Sequence, residues 1–116
     1  MASTIPLNTF KTVAAALTAG GEIDIYTAPV GITAIILMAQ IANIETASPA
    51  DKWVTAAHYD GSTTRYLVKN FAVPSNDAVS VLTGKLVLES GQSFRMEAET
   101  DNFLEVVLSI LETSNE

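Results

Sequence analysis

The sequence has no cysteine, which excludes a disulfide framework, a thiolate metal site and a cysteine nucleophile together. It has one histidine, His58, too few for a multi-histidine metal cluster or a histidine-rich catalytic centre within one chain. Bases are scarce: 6 Lys and Arg stand against 13 Asp and Glu, a net charge of −7. That balance argues against nucleic acid as a partner, because phosphate binding needs a basic face. Long apolar runs are missing too. The longest, Ala34 to Ile44, is interrupted by Gln40 and Asn43 and falls short of the roughly 20 residues that cross a bilayer. The opening Met-Ala-Ser-Thr-Ile-Pro has neither the basic nor the apolar region of a secretory signal. The expectation is an acidic, water-soluble domain without membrane contact.

What is present is enough chain for one core. A length of 116 residues fits a single domain that folds without covalent or metal staples. The acids are unevenly placed. Residues 89–116 hold Glu89, Glu97, Glu99, Asp101, Glu105, Glu112 and Glu116 against one base, Arg95, whereas the first 88 residues are nearly neutral. Because apolar residues separate these acids, they read as a solvated face of folded strands.

Periodicity and punctuation favour strands throughout. Strands are expected over Thr9–Leu17, Glu22–Tyr26, Thr33–Thr46, Thr63–Lys69, Val79–Leu82, Lys85–Leu88, Ser93–Glu99 and Phe103–Leu111. In Thr33–Thr46 both faces are apolar: strict alternation puts Ile35, Leu37 and Ile41 on one and Ile36, Met38 and Ile44 on the other. A strand of that kind lies inside a sheet and beneath a cover, either a flap of the same chain or another protein. Ser48-Pro49-Ala50-Asp51 carries a helix-start signature. The following Trp53 to Tyr59 nevertheless alternates, rich in residues that suit a pleated surface, and Asp60-Gly61 is a hairpin signal, so a strand is preferred. Phe94, Met96 and Ala98 are expected inside, as are Leu104, Val106, Leu108 and Ile110. Eight or nine short strands without a helix predict an all-β, jelly-roll-like antiparallel sandwich of about eight strands. The domain is expected over residues 9–112, with an N-terminal arm at 1–8 and a tail at 113–116.

Catalytic templates find little to match. The phosphate loop, the Gly-x-Ser-x-Gly elbow and His-Glu-x-x-His are absent. His58 with Asp60 or Asp51 is a general-base arrangement on paper, but a lone histidine in a strand is more often packed or surface-exposed. Glu97 and Glu99 share a strand face about 6.5–7 Å apart, yet Arg95 lies beside them and no apolar pocket is expected there. No catalytic residue, cofactor or metal is assigned. Trp53, Tyr59 and Tyr66 on one hairpin suit either a sugar-stacking platform or, preferably, anchors of a protein contact. Phe10 and Met38 complete the expected interface set.

Three segments carry a family resemblance. Tyr26-Thr27-Ala28-Pro29-Val30-Gly31-Ile32-Thr33-Ala34 resembles a Tyr-Thr-x-Pro-x-Gly-x-Thr-Ala segment of small virion structural proteins of tailed bacteriophages. Gly84-Lys85-Leu86-Val87-Leu88-Glu89-Ser90-Gly91-Gln92-Ser93 is similar to their Gly-Lys-Leu-x-Leu-Glu-x-Gly-Asp-x-Leu segment, with Gln92 where aspartate is common. Val107 to Glu112 looks like their closing strand. The resemblance spans about Thr9 to Glu112 and implies a β-sandwich with a binding role and no turnover. The module it implies decorates and cements the outside of a capsid, bridges major capsid protein subunits and self-associates as a dimer or trimer. A tail, baseplate or fibre protein and a carbohydrate-binding sandwich are the alternatives.

Overall fold

The computed structural model describes residues 8–46 and 50–114. Its strands are β1 (Asn8–Ala16), β2 (Ile23–Thr27), β3 (Ile32–Asn43), β4 (Lys52–Tyr59), β5 (Thr64–Val73), β6 (Ala78–Ser80), β7 (Leu86–Leu88), β8 (Ser93–Ala98) and β9 (Leu104–Ser114). One sheet runs β1-β9-β3-β6, with β7 also on β3, and the other runs β2-β8-β4-β5. Every strand pairing among the described residues is antiparallel. The chain therefore changes sheets at almost every step, and only the β4–β5 hairpin and the β6–β7 link stay within one. This is a jelly roll.

β6 and β7 fill a single lane. β6 lies on Gln40–Ala42 of β3 and β7 on Ala34–Ile36 of the same strand, so they are one strand interrupted between Val81 and Lys85. Counted by lanes, the sandwich has eight strands, four in each sheet.

Period-two alternation fills the space between the sheets. Phe94, Met96 and Ala98 of β8 and Leu104, Val106, Leu108 and Ile110 of β9 are buried in one cluster with Ile36, Ile41, Val54 and Leu88. Burying a side chain of the Phe94 or Leu108 kind stabilises by roughly 1.5–3 kcal/mol. The contested Trp53–Tyr59 segment lies within β4, a strand between β8 and β5. The helix-start residues Ser48 and Pro49 lie outside the described residues.

Strict alternation fails in β3. A bulge between Ile36 and Met38 shifts its register on β9, and one extra residue reverses the facing of everything beyond it. Ile41 therefore joins Ile36 in the core, while Met38 and Ile44 point outward with Ile35. The expected grouping of Ile41 with Ile35, and of Ile36 with Met38, is corrected accordingly.

The expected end at Lys69 is also passed, because β5 runs on to Val73 through a second irregularity. There Asn70 takes φ 53°, a left-handed conformation that asparagine tolerates. Its N–H donates to Thr55 Oγ1 at 3.0 Å, and that hydroxyl donates to Asn70 Oδ1 at 3.3 Å.

Two segments far apart in sequence lock together at one end. Ile32 N–H closes a turn on Pro29 O and Gln92 N–H closes another on Glu89 O. Gly31 (φ 81°) and Gly91 (φ 82°) hold the third position of each turn, where a type II turn requires positive φ. Gly91 N–H donates to Ala28 O and Ala28 N–H to Gln92 O, while Gly31 N–H reaches Ser90 Oγ at 3.1 Å. The first two family-like segments thus form one interlocked corner.

Candidate interaction surfaces

The expected interface residues fall on opposite faces of the sandwich. Phe10 and Met38 lie on the outside of the β1-containing sheet; Trp53, Tyr59 and Tyr66 lie on the outside of the other. The register explains the first group. Phe10 of β1 stands opposite Leu111 of β9, Leu111 opposite Ile35 of β3, and Ile35 opposite Val87 of β7. Four apolar side chains therefore form one row across the full width of that sheet. Its two ends are open, Phe10 at 76% and Val87 at 51% exposure. Val107, on the same side of β9, is 40% exposed. A depression of about 220 Å³ beside Phe10 is lined by Thr12, Leu37 and Ser109.

Of this row, only Phe10 belongs to the interface set expected from the sequence. The missed signal was in β9, where Val107 and Leu111 share the face of Glu105 and Ser109 and make it half apolar.

The second face is polar and already engaged. Tyr66 stands opposite Ala57 and Ala57 opposite Arg95, and Arg95 stands opposite Asp24. The Arg95 guanidinium lies 3.5 Å from the centre of the Tyr59 ring, and its Nε donates to Asp24 at 2.6 Å. Lys69 Nζ sits 4.5 Å from the centre of the Tyr66 ring. A sugar stacking on these tyrosines from the same side has to displace a cation first.

His58 is occupied in structure. Gln92 Oε1 accepts the Glu89 N–H at 2.9 Å and lies 3.0 Å from His58 Nε2. An amide oxygen only accepts, so His58 Nε2 carries the hydrogen. Asp60, the proposed orienter, instead accepts from Thr63 N–H at 2.8 Å and Ser62 N–H at 2.9 Å. Those bonds, Thr63 foremost, hold its carboxyl below the usual aspartate value. Gly61, at φ 105°, begins the tight turn that these bonds close. Glu97 and Glu99 are separated in role as well, because Glu99 Oε1 accepts the Trp53 N–H at 3.0 Å.

The acid-rich C-terminal segment is not all solvated. Glu112 turns inward at the sandwich end, accepts the Tyr26 hydroxyl and lies 3.5 Å from Lys11 Nζ. Burial, then the hydrogen bond to Glu112 and its charge, pushes the Tyr26 phenol well above its ordinary value. A shallow groove of about 480 Å³ lies where β3 meets β6, lined by Ala42, Asn43, Ile44, Thr46, Asn76 and Asp77. Among the described residues, no three histidine or acidic side chains come together as a metal site.

No protein-family model and no curated protein matches the sequence. Solved structures do resemble the fold. A chain of the acid-stable capsid structure of Helicobacter pylori bacteriophage KHP30 aligns at TM-score 0.57 and 13% identity, over 96% of this chain and 90% of that one. A chain of the T13 viral particle of infectious bursal disease virus aligns at TM-score 0.56 and 10% identity, over 94% of this chain. The protein spans only 31% of that viral chain's length. At such identities the likeness is one of fold.

Proposed function

We propose that the protein is a structural component of a virion, a decoration or cement module on the outside of a tailed-phage capsid that bridges neighbouring major capsid protein subunits. The observation that carries this reading is the likeness to the KHP30 capsid chain, in which each chain covers at least 90% of the other. A match of that extent pairs one small module with another. The apolar row Phe10–Leu111–Ile35–Val87 supports it, because an apolar strip rimmed by polar residues is the usual composition of a contact face. His58 fits a role without turnover, because Gln92 engages its Nε2 and Asp60 is engaged by its own turn.

The mechanism is cohesion by repetition. A small module at each subunit junction buries a modest area, and many copies sum to a large stabilisation of the shell. The row meets the shell, leaving the charged outer face of the β2-containing sheet toward solvent. A cryo-EM map of purified virions tests the reading: density for this fold at junctions of the outer shell is expected. Density on the tail or its fibres would transfer the role there, and its absence from the particle would overturn it.

A further inference from the structure

A sheet edge carries a row of N–H and C=O groups without partners, and folded domains blunt such edges with bulges, charges or brevity. Three of this sandwich's four edges are blunted. β2 has five residues and a bulge. The β6–β7 lane consists of two three-residue pieces. β5 is broken by two irregularities and carries Arg65, Lys69 and left-handed Asn70. β1 has none of these devices. Its nine residues keep unbroken register on β9, from Asn8 opposite Thr113 to Ala16 opposite Glu105, without proline and with one charge, Lys11.

The hydrogen-bond phase identifies the open groups. Leu17 N–H donates to Leu104 O, directly across the continued ladder. In an antiparallel pair this turns the odd-numbered β1 residues toward β9. The N–H and C=O groups of Asn8, Phe10, Thr12, Ala14 and Ala16 face the other way, and no described strand pairs with them.

We infer that this edge pairs with β1 of a second copy of the chain, antiparallel, about a two-fold axis through Thr12, joining the two β1-containing sheets into one. The edge is complementary to itself in that register. Thr12 faces Thr12, Phe10 faces Ala14 and Asn8 faces Ala16, so every open residue meets an open residue over the full strand. Phe10, the bulkiest side chain on the edge and 76% exposed, covers an alanine. Centring one residue earlier sets Lys11 against Lys11 and shortens the overlap; centring one later shortens it too. The pairing also keeps both apolar rows on the same side, which widens the proposed capsid-facing surface. The inference deepens the assembly role proposed above and rests on it for the use of the dimer.

Sedimentation of the free protein at micromolar concentration tests it, and a dimer is expected. Thr12→Pro removes only an N–H that points away from β9, a position where an edge strand tolerates proline. It should keep the wild-type circular dichroism and weaken the dimer about tenfold or more. Phe10→Asp, at an exposed position, gives a second route to the same loss should the proline variant misfold. Spin labels introduced into this cysteine-free chain at position 12 should couple strongly across the dimer. Labels at position 16 should stand about 27 Å apart, eight residues at about 3.3 Å each. A wild-type monomer or trimer, a folded Thr12→Pro variant that dimerises unchanged, or labels closer at 16 than at 12 would each overturn the inference. Monomers in solution alongside shell density in virions would remove this pairing and leave the capsid role standing. A dimer of this register absent from virions would do the reverse.

Discussion

Tyr26 of β2 donates its hydroxyl to Glu112 of β9, a bond that ties one sheet to the other at the end of the sandwich. Lys11 of β1 approaches the same carboxylate at 3.5 Å, so three strands meet on one acid. Hydrogen bonds to a charged group contribute about 1.5–3 kcal/mol, and Tyr26→Phe is expected to lower unfolding stability by that amount in urea titration. An unchanged midpoint would show that the contact contributes nothing.

The same pair sets an alkaline limit. Tyr26 titrates above its ordinary value of 10.0 in the folded chain. Once the pH passes 10.0, the unfolded chain releases this proton and the folded chain retains it. Stability therefore falls as pH rises, and the contribution is intact below that point. The melting temperature of the wild type should drop more steeply than that of Tyr26→Phe above pH 10.0. Parallel curves would refute the assignment.

Asn43 fastens the opposite end. Its side chain is 2% exposed; Nδ2 donates to Ala50 O and Val73 O, each at 3.0 Å, and Oδ1 accepts the Glu45 N–H at 3.1 Å. Removing the amide breaks three bonds to the backbone, those to Val73 and Glu45 buried and that to Ala50 partly so, and Asn43→Ala should cost about 2–4 kcal/mol. Asn43→Asp should be no better, because a carboxylate oxygen would face a carbonyl. Chemical denaturation of both variants checks this, and a cost near zero for either would contradict the geometry.

At the β5 irregularity the backbone demands a left-handed residue. Asn70→Gly should be nearly neutral, because it loses only the side-chain bond from the Thr55 hydroxyl, keeps the backbone one and relieves the φ. Asn70→Val combines both losses and should destabilise by about 1–3 kcal/mol. Equal stabilities for the two variants would argue against the left-handed φ of 53°.

Gln92 joins the interlocked corner to β4. Gln92→Ala is expected to cost about 1–2 kcal/mol through two lost bonds. Nitrogen NMR of His58 should report the hydrogen on Nε2 in the wild type. A ring protonated on Nδ1 alone would show that Gln92 is not its partner.

Much of this architecture was legible because strand alternation is a local property. Phe94, Met96 and Ala98 declared their inward face without help from any neighbour, and so did the aliphatics of β9. The turns at Gly31 and Gly91 were legible for a similar reason, since positive φ favours glycine. The bulge near Leu37 was not, because an extra residue in an apolar strand leaves no mark on composition. Its effect was to bring Ile36 and Ile41, which strict alternation puts on opposite faces, to the same buried face. The hairpin aromatics were recognised as facing together, but not that Arg95 and Lys69 already lie over two of the rings.

By itself, the chain's order of residues determined the strands, their turns, the all-β class and the inward side chains of β8 and β9. These depend on period two and on backbone preferences within a few residues. Tertiary structure alone decided that β1 lies on β9, that β6 and β7 share a lane, and that Phe10, Leu111, Ile35 and Val87 align in one row. Pairing between distant strands is made by peptide groups that are alike at nearly every position. Which partners meet is therefore settled by the packing of the whole core and not by any short segment.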